Sequence, residues 1–109
     1  ASASEIVAGA VKDYGIGTLV GTTTFGKGIV QRIISLTDGS AVKLTVSHYY
    51  TPNGNNIHEV GIEPDVEIAF DGDAYYNDDV DNQLQKAIEV MNEKLGAADG
   101  QEETEETAA

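Results

Sequence analysis

Two long β-rich runs, residues 29–37 and 41–50, stand on either side of Asp38-Gly39, and this pattern restricts the chain more than any other. β-Branched and aromatic residues favour extended backbone, and Asp-Gly between two such runs is the signal of a hairpin closed by a type I′ turn. An antiparallel ribbon is therefore expected at the centre. Ahead of it, Ile6, Val7, Ala10, Val11 and Tyr14 recur at helical spacing, and Gly15 is placed to end that helix. A short strand at 18–20 and a glycine-punctuated loop at 21–28 lead into the ribbon. Thr51-Pro52-Asn53-Gly54 reads as a turn and residues 66–70 as a further strand. From Asp79 a second helix carries Val80, Leu84, Ala87, Ile88, Met91 and Leu95 on one stripe, with Gly96 as its stop. The fold class expected is mixed α/β over residues 1–96. Residues 97–109 lack any large apolar side chain and read as a disordered acidic tail.

Composition narrows the chemistry. The 109 residues contain no cysteine, so disulfides, zinc–thiolate sites and cysteine nucleophiles are excluded. Nineteen acids against six bases give a net charge of −13, which opposes nucleic acid and anionic membrane surfaces. No apolar run approaches the roughly 18–20 residues that span a bilayer. The charge is unevenly spread: residues 1–57 sum to +1 and the remainder to −14. Whatever the first half does happens in a nearly neutral setting.

Ser2 and Lys27 are the pair best suited to catalysis. A helix from about residue 4 to 14 rises roughly 16 Å, and an extended segment from 17 to 23 returns roughly 20 Å. Lys27 thus comes back to the helix start, where Ser2 sits. A serine hydroxyl becomes a strong nucleophile when a base removes its proton, and a lysine can do so only while uncharged. Gly26, Gly28 and Phe25 offer a bendable backbone and apolar cover for the lysine stem. The N–H groups of Ala3 and Ser4, at a helix start, face the place where an oxyanion would develop.

Plainer readings stand beside this one. Ser2-Ala3-Ser4-Glu5 fits a capping box, in which the serine merely closes the helix. The segment 21–28 nearly spells a phosphate loop, but Gly28 replaces the magnesium-binding hydroxyl and β-rich sequence follows where a helix should. Asp71, Asp73, Asp78, Asp79 and Asp81 depart from the spacing of a calcium loop and read as a solvated acidic loop with helix-start acids. His48 reads as a packed strand residue. No cofactor and no metal is expected.

In order along the chain, Ser2-Ala3-Ser4-Glu5-Ile6, Lys12-Asp13-Tyr14-Gly15, Val20-Gly21, Thr24-Phe25-Gly26-Lys27-Gly28, Val30-Gln31, Tyr49-Tyr50-Thr51-Pro52-Asn53-Gly54 and Gly61-Ile62-Glu63-Pro64-Asp65 appear at plausible spacings. This series resembles the carboxyl-terminal processing peptidases, or tail-specific proteases, over residues 1 to about 68. The resemblance implies the C-terminal part of a crotonase/Clp-protease-like core, with Ser2 as nucleophile, Lys27 as general base and Gln31 as an assisting third member. It implies a supporting role for Asp13. It also implies polypeptide substrates, an extracytoplasmic compartment, and upstream segments that include a PDZ domain and a loop giving a second oxyanion donor. A chain of this extent is expected to be inactive by itself and prone to dimerise or exchange strands. The rival reading is a non-catalytic module that binds partners through exposed sheet edges.

Overall fold

A computed structural model describes the backbone of residues 1–108 and the side chains of residues 1–97. The chain divides into two compact units, Ala1–Glu67 and residues 68 onward. The first unit opens with helix α1, Ala3–Asp13. Its buried face is Glu5 and Gly9, while the apolar Ile6 and Val7 are exposed. Thr51 and Ile62 lie close against Gly9, and the buried apolar side chains of this unit are Ile57 and Ile62.

Strand β1 is only Val20–Gly21, shifted from the expected 18–20, and it pairs in parallel with β4, Val66–Glu67. The strand expected over 66–70 is thus cut to its first two residues. Asp65 reinforces the pair, its carboxylate accepting the Leu19 N–H at 2.8 Å. The hairpin forms as expected. β2, Ile29–Ser35, runs antiparallel to β3, Ala41–His48, with a bulge between Val30 and Gln31.

Its turn differs from the type I′ expectation. The Gly39 N–H bonds to the Leu36 carbonyl at 3.2 Å, and Gly39 at φ +86° takes the left-handed position while Asp38 does not. This is a three-residue loop with glycine after a type I-like turn. The Asp38 carboxylate accepts the Ser40 N–H at 2.9 Å, a local bond that holds Asp38 out of the left-handed region. Both faces of the hairpin are largely exposed, with Ile33 at 70%. His48 is exposed too, contrary to the packed role expected; its ring lies 5.7 Å from that of His58.

Beyond the hairpin the chain doubles back on the glycine loop. Thr24 N–H bonds to the Ile62 carbonyl at 3.1 Å, Ile62 N–H returns to the Thr24 hydroxyl at 2.9 Å, and Glu59 N–H reaches the Gly26 carbonyl at 2.8 Å. Gly61 is indispensable to this approach: at φ +76° a β-carbon there would sit 2.2 Å from the Thr24 carbonyl oxygen.

The second unit holds α2, Gly72–Asp78, and α3, Asn82–Ala108. Helix α2 occupies a stretch read from sequence as an acidic loop. Asp71 accepts the Ala74 N–H at 3.0 Å and Asp81 the Leu84 N–H at 2.9 Å, so these two acids cap helices. Gly96 does not end α3. The backbone of α3 runs helical through Ala108, across the stretch expected as a disordered tail; residue 109 lies outside the described residues.

Candidate active site

Ser2 precedes α1 in a strained backbone state, φ +57° and ψ −111°. Such conformations cost on the order of 1–3 kcal/mol and persist where the surroundings over-determine them. What fixes Ser2 is Glu5, whose carboxylate accepts the Ser2 N–H at 2.8 Å. That bond is the return half of a capping box. The Glu5 N–H, in turn, is satisfied at 3.0 Å by the Ser2 carbonyl.

Glu5 is 1% exposed, and its reach extends well past the helix. It accepts the Thr24 hydroxyl at 2.5 Å, the Gly26 N–H at 2.6 Å and the Lys27 N–H at 3.0 Å. Burial alone would push this carboxyl up. The hydrogen bonds from Thr24, Gly26, Lys27 and Ser2 outweigh it and hold the group down at about 2. One buried anion therefore ties the backbones of Ser2 and Lys27 to a common point. The same bonds occupy the amides that a phosphate loop would offer to a nucleotide, and a carboxylate in that cradle repels phosphate.

Ser2, Lys27 and Gln31 line one cavity of about 270 Å³, together with Lys43 and Tyr49. The return of Lys27 to the helix start, expected from element lengths, is thus what the chain does. Gln31 reaches this cavity from just beyond the β-bulge, its side-chain amide donating to the Thr45 hydroxyl at 3.3 Å. Ala3 and Ser4 are the first residues of α1, so their N–H groups have no acceptor within the helix, whereas those of Glu5 and Ile6 bond to the Ser2 carbonyl. Phe25 does not wrap the lysine stem as expected; it is 82% exposed. The Glu5 bonds to Thr24, Gly26 and Lys27 shape this loop from within and leave the ring at position 25 turned outward.

Asp13 lies elsewhere. It lines a separate cavity with Lys12 and Thr51, and its carboxylate accepts the Asn53 N–H at 3.0 Å. The Thr51 hydroxyl and that N–H hold it below the ordinary aspartate range. Asp13 thereby pins the 51–54 turn to the end of α1. Among the described residues no group of three or more His, Asp or Glu is arranged to hold a metal ion.

The model of peptidase family S41 matches residues 1–68, more than half of the chain. The chain belongs to peptidase family S41. Similar S41 relatives include the carboxy-terminal processing protease CtpB of Bacillus subtilis, 56% identical over 68 residues, covering 62% of this chain and 14% of that protein. The chloroplastic C-terminal processing peptidase of Tetradesmus obliquus is 50% identical over 68 residues, 62% of this chain and 15% of its own length. A carboxyl-terminal-processing protease of Picosynechococcus is 41% identical over 100 residues, 90% of this chain and 24% of that protein. Among solved structures, a photosystem II D1 C-terminal processing protease superposes with a TM-score of 0.61 at 49% identity, covering 63% of this chain and 18% of that one. Over the matched residues the mixed helix-and-strand fold is that of this solved structure. The chain spans between a seventh and a quarter of the length of the relatives it matches.

Sequence reasoning gives Lys43 and Tyr49 no part in a site, and it gives Glu5 no part beyond the capping box and the family motif. Tyr49 and Lys43 lie inside β-rich runs that carry no catalytic spacing. For Glu5 the capping-box pattern was visible, but nothing in that pattern reports that a loop twenty residues on will donate to the same carboxylate.

Proposed function

We propose that this chain carries the catalytic dyad of a carboxyl-terminal processing serine peptidase. The observation that supports it is the shared cavity of Ser2, Lys27 and Gln31, with Ser2 and Lys27 both tethered through their N–H groups to buried Glu5. In this reading the uncharged amine of Lys27 removes the Ser2 proton as the oxygen attacks a peptide carbonyl. The N–H groups of Ala3 and Ser4 hold the developing oxyanion, with the positive end of α1 behind them. The protonated lysine returns its proton to the leaving amine, and water then hydrolyses the acyl-enzyme by the same route. Gln31 orients the lysine amine, and Asp13 supports the helix end.

The substrates are polypeptides cleaved near their C-termini, in an extracytoplasmic compartment such as a periplasm, envelope or lumen. The 109 residues alone are expected to be inactive. Losing one oxyanion donor costs about two to three orders of magnitude in rate, and the full S41 proteins named above are four to seven times longer than the matched part.

Fluorophosphonate labelling of the full-length protein tests the nucleophile. A single adduct on the peptide bearing Ser2, absent from a Ser2→Ala variant, is the expected result; an adduct elsewhere refutes the assignment. A second reading, an interaction module that adds strands at the hairpin edges, draws on the exposure of both faces of β2 and β3. Labelling at Ser2 would subordinate it to catalysis.

A further inference from the structure

The catalytic cavity contains a second ammonium that the proposed chemistry leaves idle. Lys43 lines it beside Ser2, Lys27, Gln31 and Tyr49, and among the described residues no carboxylate lines it. β3 pairs Thr45 with Gln31 and Lys43 with Ile33, and strand alternation sets Lys43, Thr45 and Gln31 on one face of the hairpin. Lys43 thus flanks the assisting glutamine by construction of the sheet, not by chance of a loop.

The acids nearby are otherwise engaged. Glu5 is fully committed to Ser2, Thr24, Gly26 and Lys27. Among the described residues the ion pairs are His58–Glu59 and Lys86–Glu89, so no carboxylate neutralises Lys43 or Lys27. Within residues 1–57, whose charges sum to +1, this cavity gathers two of the four basic side chains. The proposed chemistry uses Lys27 as the base, which leaves the Lys43 amine free to meet an anion. With the Gln31 amide and the Tyr49 phenol, the polar side chains of the wall, set beside Ile29 and Val30, offer donors and, among the described residues, no anionic acceptor. That is the chemistry that receives a carboxylate.

We propose that Lys43 is a specificity residue that binds a carboxylate of the substrate next to the scissile bond, supplied by an acidic side chain or by a free chain end. The inference rests on the dyad reading above. Because Lys43 is exposed, the attraction is screened by salt, and it acts through substrate affinity more than through the chemical step.

The test uses the full-length protein and three matched quenched peptides at low ionic strength: one with a glutamate beside the scissile bond and an amidated end, its glutamine counterpart, and the glutamine peptide with a free C-terminus. The wild type is expected to cleave at least one carboxylate-bearing peptide with kcat/KM about tenfold above the amidated glutamine peptide, mainly through KM. The preference should shrink as salt is raised to about 1 M. Which peptide gains tells the acidic side chain from the chain end. Lys43→Met should flatten the preference, Lys43→Glu should invert it and Lys43→Arg should keep it. Equal kcat/KM for all three peptides in a wild type that labels at Ser2 overturns the inference and leaves the dyad standing, as does an unaltered preference in Lys43→Glu. A wild type that cleaves none of them and takes no label at Ser2 overturns the dyad, and this inference with it.

Discussion

Glu5 illustrates how one buried residue can hold two segments distant in sequence at one point. A carboxylate at 1% exposure survives only because four donors converge on it, and two of those donors are the N–H groups of Ser2 and Lys27. Glu5→Gln replaces one acceptor oxygen by an amide NH2 group that confronts other donors. We expect a loss of about 3 kcal/mol in denaturant unfolding of the full-length protein, with Ser2 labelling lost alongside. The sign of the pH effect follows from the lowered carboxyl. Its contribution, up to about 3 kcal/mol, is complete above the ordinary value of 4.5 and drains away as pH falls towards about 2. Unfolding midpoints measured from pH 6 down to pH 2 should fall for the wild type over that window and stay flatter for Glu5→Gln. Ser2 offers a companion case, since its φ of +57° suits glycine. Ser2→Gly should raise stability by about 1 kcal/mol while abolishing labelling, whereas Ser2→Ala, equally unlabelled, gains nothing, because alanine keeps the backbone strain.

Elements were legible where a pattern is carried by neighbours in sequence. The β2–β3 hairpin announced itself through two β-rich runs and Asp38-Gly39, and α1 through its spacing and Gly15. The turn type did not, because it depends on whether Asp38 adopts positive φ, and the Asp38–Ser40 bonds decide that locally. The buried face of α1 was equally hidden. Periodicity pointed to Ile6 and Val7, but the 57–62 segment and the glycine loop close over Glu5 and Gly9 instead. Contacts made across twenty to fifty residues leave no trace in a helical repeat. The loop-on-loop approach at Thr24 and Gly61 depends on one such contact. Gly61→Ala should unfold or severely weaken the first unit, by more than about 3 kcal/mol, because the methyl would meet the Thr24 carbonyl. A native-like unfolding midpoint for that variant would show that this approach is not needed.

At the scale of the whole molecule, the proportions are unusual. Only Ile57 and Ile62 are buried among the large apolar side chains described, while Ile33, Val42, Leu44 and Val46 on the hairpin and Leu84, Ile88, Met91 and Leu95 on α3 face outward. Surfaces of that kind associate. The 109-residue polypeptide is expected to dimerise or exchange strands at micromolar concentration, as size-exclusion chromatography with light scattering will report; a monomer that persists on concentration would contradict this. The chain's match to a small part of much longer S41 proteases fits the same exposure. The candidate site is better specified than the envelope around it, because the Glu5 carboxylate holds Ser2 and Lys27 and the hairpin holds Gln31. The most direct measurement is peptide turnover by the full-length protein carrying Lys27→Ala, set beside the wild type at the same pH. Turnover should drop by at least about a thousandfold while the unfolding midpoint stays close to that of the wild type. Turnover within a few-fold of wild type would show that another group takes the serine's proton.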